Sequence, residues 1–135
     1  MGQKVNPMSL RLSTRRNWQS KWYAEKDFGK QLNSDMKIRK TISDMLGFRA
    51  GVASIEIERS TGQITVIINT SKPGVVIGRS GAGVDALKVA LKKLTGEDIK
   101  LNIEEVKNPE AVAQLVAENV ASQLERRMAF RRVIK

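Results

Sequence analysis

The chain has no cysteine and no histidine among its 135 residues. The first absence removes disulfides and thiol nucleophiles, and the second removes imidazole acid–base chemistry; together they remove the usual zinc ligands. Aromatic residues make up 4% of the chain and proline occurs three times. No apolar run approaches the ~18 residues that suggest a membrane span, so no membrane partner is expected. The N-terminus lacks the apolar stretch of a signal peptide. Met1-Gly2 opens a myristoylation pattern, but Asn6 stands where Ser or Thr is required. No metal, no cofactor and no catalytic residue are expected.

Positive charge is what the chain does have. Its net charge is +10, and the excess is uneven: +7 over residues 1–40, +1 over 41–107 and +2 over 108–135. A balanced middle between basic ends points to a polyanionic partner, because a merely soluble surface interleaves the two signs. Lys4, Arg11, Arg15, Arg16 and Lys21 in the first part are candidate phosphate ligands. Trp18, Trp22, Tyr23 and Phe28 lie among and after them. The tryptophan spacing fits one face of a short helix docked on the core, with base stacking or packing on a neighbouring protein as the alternative. At the other end stand Arg126, Arg127, Arg131, Arg132 and Lys135, also candidate RNA ligands, with no acid between them. Their plain role would be complementing a helix C-terminus, at roughly 0.3 kcal/mol or more each.

Periodicity gives the order of elements. Residues 1–32 read as an extended basic arm. Asn33 or Ser34 would cap a helix over 35–46, with Ile38, Ile42, Met45 and Leu46 as its apolar stripe and Gly47 as its stop. Lys37, Arg39 and Lys40 would be solvated. Ala53, Ile55 and Ile57 alternate with Ser54, Glu56 and Glu58, as in a half-buried strand. Ser60-Thr61-Gly62 makes a turn, after which Ile64, Val66 and Ile68 alternate in the same way. Val84, Leu87, Leu91 and Leu94 recur at helical spacing before Gly96. A third strand places Ile99, Leu101 and Ile103 on one face. Asn108-Pro109-Glu110 opens a last helix, expected to run to about Met128 or to the end. Val112, Leu115, Val116, Val120, Leu124 and Met128 would be its buried stripe. Three strands with one apolar face need a helical cover, which makes a two-layer α+β sandwich.

The stretch at the centre of this order is Val75-Val76-Ile77-Gly78-Arg79-Ser80-Gly81-Ala82-Gly83. A glycine turn opening a helix presents N–H groups and a positive dipole end. Gly78 and Gly83 have P-loop spacing, but Val84 and Asp85 follow where Lys and Ser or Thr are needed. Gly81, Gly83 and Ala86 fit a dinucleotide fingerprint, with Glu104 or Glu105 near the distance of its acid. No second mononucleotide-binding half fits in the chain. Gly78-Arg79-Ser80-Gly81 also fits the Gly-x-x-Gly loop that clamps about four nucleotides by their backbone. A plain interhelical turn has the same four residues.

An α-β-β-α-α-β order with Gly-x-x-Gly between paired helices resembles the type II KH domain. The flanks resemble the bacterial-type third protein of the small ribosomal subunit. They are Met1-Gly2-Gln3-Lys4-Val5-Asn6-Pro7, Thr70 to Gly78, and Ser122-Gln123-Leu124-Glu125-Arg126-Arg127 followed by Phe130-Arg131-Arg132. This resemblance implies a basic arm over 1–32, a type II KH domain with a three-stranded sheet over 33–108, and a basic C-terminal helix over 109–135. In the family that helix begins a second α/β domain, which this sequence does not contain. The resemblance also implies a structural, non-enzymatic role on a cytoplasmic or organellar ribosome. Gly78, Arg79, Ser80 and Gly81 would grip an RNA backbone, with one basic loop residue where many relatives have two. Arg131, Arg132 and Lys135 would face messenger RNA at its entry channel. The other implied partners are ribosomal RNA of the small-subunit head and neighbouring head proteins. A free KH-type regulator or assembly factor is the alternative, and a nucleotide-cofactor enzyme using Gly81, Gly83 and Ala86 a distant third.

Overall fold

The computed structural model describes residues 2–60 and 62–134. Met1, Thr61 and Lys135 lie outside it, so the expectations placed on Thr61 in the turn and on Lys135 as an RNA ligand fall outside the described residues. The described elements in chain order are α1 (Pro7–Leu10), β1 (Ser20–Lys21), α2 (Phe28–Leu46), β2 (Val52–Ser60), β3 (Gln63–Thr70), α3 (Pro73–Ile77), α4 (Ala82–Thr95), β4 (Asp98–Glu105), α5 (Ala113–Glu125) and α6 (Phe130–Ile134). The strands form one sheet in the order β1-β2-β3-β4.

The hairpin β2–β3 is antiparallel, with Ile57 opposite Val66 and Ile55 opposite Ile68. Period-2 alternation sends Ile57, Ile64, Val66 and Ile68 to one face, where each is fully buried. The helical stripes Ile38–Ile42 on α2 and Leu87–Leu91 on α4 cover that face. Burying such a side chain contributes about 1.5–3 kcal/mol, so the sandwich is held chiefly by these two helices on one sheet face. β4 lies parallel to β3, with Leu101 beside Val66; the crossover is the pair α3–α4, and the glycine loop is its hinge.

Five expectations need correction. The helix expected over 35–46 begins at Phe28, and neither Asn33 nor Ser34 caps it; both sit inside its second turn. The sheet has four strands, because Ser20 and Lys21 of the arm pair in parallel with Ile57 and Glu58. Trp18 and Trp22 are not on a helix: Trp18 is exposed, and Trp22 is half-buried just beyond β1. The last helix is not continuous. Pro109–Ala111 forms a separate 3-10 turn, Val112 is extended, and α5 stops at Glu125. Arg127 then takes a left-handed φ of 58° before α6. Of the six apolar residues expected to be buried there only Leu115 is; Val116, Leu124 and Met128 are exposed. No hydrophobic layer of the described residues covers that side of α5.

Arg39 is not solvated either. Its guanidinium donates to the carbonyl of Ile55, to the carbonyl of Gln19 at 2.7 Å and to Ser20 Oγ at 3.0 Å. It therefore pins the arm to β2, and its burial lowers its pKa from the ordinary arginine value.

Candidate nucleic-acid interface

The glycine loop sits where two helices nearly collide. α3 opens with Pro73 in its first turn and closes at Gly78, whose N–H donates to the Gly74 carbonyl at 3.0 Å. Gly78 has φ 70° and ψ −175°, which only glycine adopts freely. Ser80 (φ 56°) and Gly81 (φ 86°) follow in the left-handed region, and α4 begins at Ala82. A non-glycine residue at positive φ is uncommon and marks a constrained turn. Gly78, Arg79 and Ser80 are exposed. Among the described residues no side chain caps α4; the Ala82 N–H donates to the Arg79 carbonyl instead, and the positive end of the helix dipole lies at the loop.

The same geometry accounts for the third glycine. A Cβ on Gly83 would overlap the Val76 carbonyl oxygen and stand 3.0 Å from that of Ile77. Gly83 thus permits the close approach of α4 to α3. Of the fingerprint formed by Gly81, Gly83 and Ala86, Gly83 serves helix packing in this chain. The fingerprint also lacks its strand: α3, not β3, leads directly into the loop, whereas a dinucleotide site needs the strand immediately before its glycines.

The other candidate residues fall on separate elements. Lys4, Arg11, Arg15 and Arg16 are exposed along the arm; the Arg11 guanidinium bonds back to the Pro7 carbonyl at 3.2 Å. Lys21 is engaged with Glu56 and Glu58 at 3.0 Å each. Its hydrogen bond to Glu58, then that to Glu56, raises its pKa above the ordinary lysine value. Lys21 therefore fastens the arm to the outer sheet face rather than standing ready for a phosphate. Arg126 closes α5, Arg127 forms the break, and Arg131 and Arg132 lie exposed on α6. The Arg131 guanidinium stands 5.9 Å from the Phe130 ring centroid, a cation–π contact that orients it.

Two basic residues that the sequence reading passed over join this set. Arg49 and Lys72 line a cleft of about 620 Å³ against α5, opposite Arg126. Lys72 was signalled only by its place before Pro73, and Arg49 by its place between two glycines. Glu110 and Glu118 share the same lining, so the cleft is not uniformly positive. The loop lies at the opposite end of α3 from this cleft.

A family model described as the KH domain matches residues 37–111. The chain is 53% identical over 135 residues to the small ribosomal subunit protein uS3 of Citrifermentans bemidjiense, covering 100% of this chain and 64% of that protein. It is 55% identical over 136 residues to the uS3 protein of Finegoldia magna, covering 100% of this chain and 55% of the relative. The uS3 protein of Pelotomaculum thermopropionicum is 54% identical over 136 residues, with 100% and 58% covered. The chain thus spans between 55% and 64% of the length of these relatives.

Proposed function

The chain belongs to the KH domain family, and on that premise we propose that it is a structural RNA-binding protein of the small ribosomal subunit and not an enzyme. The observation that carries this reading is the Gly78-Arg79-Ser80-Gly81 loop, exposed from Gly78 to Ser80, at the start of α4. It sits in a chain of net charge +10 that is similar along its whole length to proteins named small ribosomal subunit protein uS3. Backbone amides and a dipole end recognise phosphate without reading sequence. Arg79 adds one full charge beside them, and the arm and the C-terminal arginines add more.

In this reading the protein binds small-subunit ribosomal RNA in the head, on the ribosome and in the cytoplasm, beside neighbouring head proteins. Arg131, Arg132 and Lys135 face the path of entering messenger RNA. They separate paired segments only by favouring open strands, because positive charge on a path lowers the free energy of whichever strands reach it. No bond is made or broken. The direct test is sedimentation of tagged chain with purified small subunits at low salt. The reading expects it to travel with the subunit and to leave progressively as salt rises. A chain that sediments alone at low salt would instead be a free RNA-binding regulator.

A further inference from the structure

A second, smaller cleft opens in the helical layer, where the first turns of α2 meet the last turn of α4. Its volume is about 280 Å³, and Lys30, Asn33, Ser34, Lys37, Leu94 and Thr95 line it. The four polar α2 residues recur at i, i+3, i+4 and i+7, which places them on one face. That face adjoins the buried stripe of Asp35, Ile38 and Ile42. The early α2 residues Lys30 to Lys37 meet Leu94 and Thr95 at the end of α4, Ile38 and Ile42 share a cluster with Leu91, and Leu46 packs against both that cluster and Val76 with Leu87. The two helices therefore run antiparallel, and the packing that builds the core fixes the walls of the cleft.

The chemistry of the lining is one-sided. It offers two ammonium groups, one carboxamide and two hydroxyls, and no carboxylate. Lys37 makes no ion pair among the described residues, nor do Lys40, Lys88 and Lys93 elsewhere on the same two helices. Lys30 meets Asp27 at 2.9 Å, but both side chains are well exposed, so that pair holds weakly and exchanges readily. Lys92 and Lys93 in the last turn of α4 offset the negative dipole end beside the cleft. The outer face of the sheet carries carboxylates instead: Glu56 and Glu58 hold Lys21 there, and Glu104 shares the face with Lys100. The cleft is smaller than an ordinary small-molecule site, and the length of α4 puts it about 20 Å from the glycine loop.

We propose that this cleft is a second RNA-backbone grip, taking the phosphodiester backbone of a strand through Lys30 and Lys37, with Asn33 and Ser34 as hydrogen-bond donors. The proposal rests on the RNA-binding reading above and adds to it a contact on the helical layer that the glycine loop cannot reach. One strand crossing the layer would touch both grips, so their contributions to binding should add.

The test measures binding of an oligouridylate of about twelve nucleotides, enough to span that distance at ~3.4 Å per nucleotide, as salt is varied. Lys30→Gln/Lys37→Gln should lower the log–log salt slope by about 1.4, since each single-strand phosphate contact contributes about 0.7. The loss should add to that of Arg79→Asp/Ser80→Asp, and thermal unfolding should stay unchanged. Lys100→Gln/Lys107→Gln removes the same charge elsewhere and should leave the slope nearly as it is. A slope equal to that of the parent overturns the proposal, as does an equal drop in the Lys100/Lys107 control. A loss seen only with polyglutamate would make the occupant an acidic protein and also overturns it. A parent chain that binds no RNA at all fails the RNA-binding reading itself, and the second grip with it.

Discussion

The indole N–H of Trp22 donates to Asp35 Oδ2 at 2.7 Å. The other carboxylate oxygen accepts from Arg59 Nη2 at 2.6 Å and from Arg59 Nε at 3.0 Å. Arm, helix and strand thus converge on one buried carboxylate, and every oxygen of it has a donor. Asp35→Ala would leave a guanidinium with Glu97, 3.8 Å away, as its one ion-pair partner among the described residues. Breaking a buried pair in this way costs about 3–5 kcal/mol, and urea unfolding should read a loss of that size. Trp22→Phe leaves one carboxylate lone pair unmet and should cost about 1–3 kcal/mol. An unchanged urea midpoint for both variants would mean that the arm is not fastened through Asp35.

Gly83 and Gly29 should respond in opposite directions to the same added methyl group. Gly83→Ala drives a Cβ into the carbonyls of Val76 and Ile77. It should separate α3 from α4, lower the melting temperature and disturb the loop. Gly29 lies inside α2 with open space around it, so Gly29→Ala should stabilise by up to about 1 kcal/mol. Parallel thermal melts of the two variants check this, and a stabilised Gly83→Ala would contradict the packing account.

Attachment of the arm should also weaken in alkali. Hydrogen bonds to Glu58 and Glu56 raise the Lys21 pKa above 10.5. A raised folded-state value means that the contribution is complete below pH 10.5 and is lost as pH rises through the folded value. Tryptic cleavage of the arm, sampled by a brief pulse after incubation at each pH, should increase above that point. Lys21→Gln should show the looser arm at every pH. A pH-independent arm in the parent would leave the ion pairs without effect on docking.

At the other terminus, Arg131→Ala/Arg132→Ala/Lys135→Ala should flatten the salt slope for a single strand by about 2, if each residue meets one phosphate. The break at Arg127 gives α6 an orientation separate from α5, so the variant should leave urea unfolding of the core almost untouched. An unchanged slope would leave these residues as surface charges only.

The sheet and the loop were legible because their signals are local. Ile55, Ile57, Ile64, Val66 and Ile68 alternate at the period of a pleated strand, and every one is buried. The glycines announce their turn within a few residues. The start of α2 was not legible. Asn33 or Ser34 looks like a cap for a helix starting at Asp35, and Asp35 is instead an inner residue whose carboxylate is met by Arg59, 24 residues later, and by Trp22. β1 is two residues long and exists through its pairing with β2, which no periodicity in the arm could signal. The apolar stripe of α5 has helical spacing and is largely exposed, so spacing reported the helix without reporting what covers it. For the site, Arg79 and the C-terminal arginines stand exposed where the sequence leads one to expect RNA contacts, whereas Lys21 meets two carboxylates that lie on a strand more than thirty residues away and that no local pattern in the arm signals.

The central claim is that Gly78 to Gly81 holds an RNA backbone. Arg79→Asp/Ser80→Asp tests it most directly, because both residues are exposed and aspartate tolerates the left-handed conformation of Ser80. Affinity for oligouridylate should be measured at fixed low salt, with thermal unfolding followed in parallel. The account predicts a clear loss of affinity at an unchanged melting temperature. Equal affinity for parent and variant would contradict it and leave the loop as a turn between two helices.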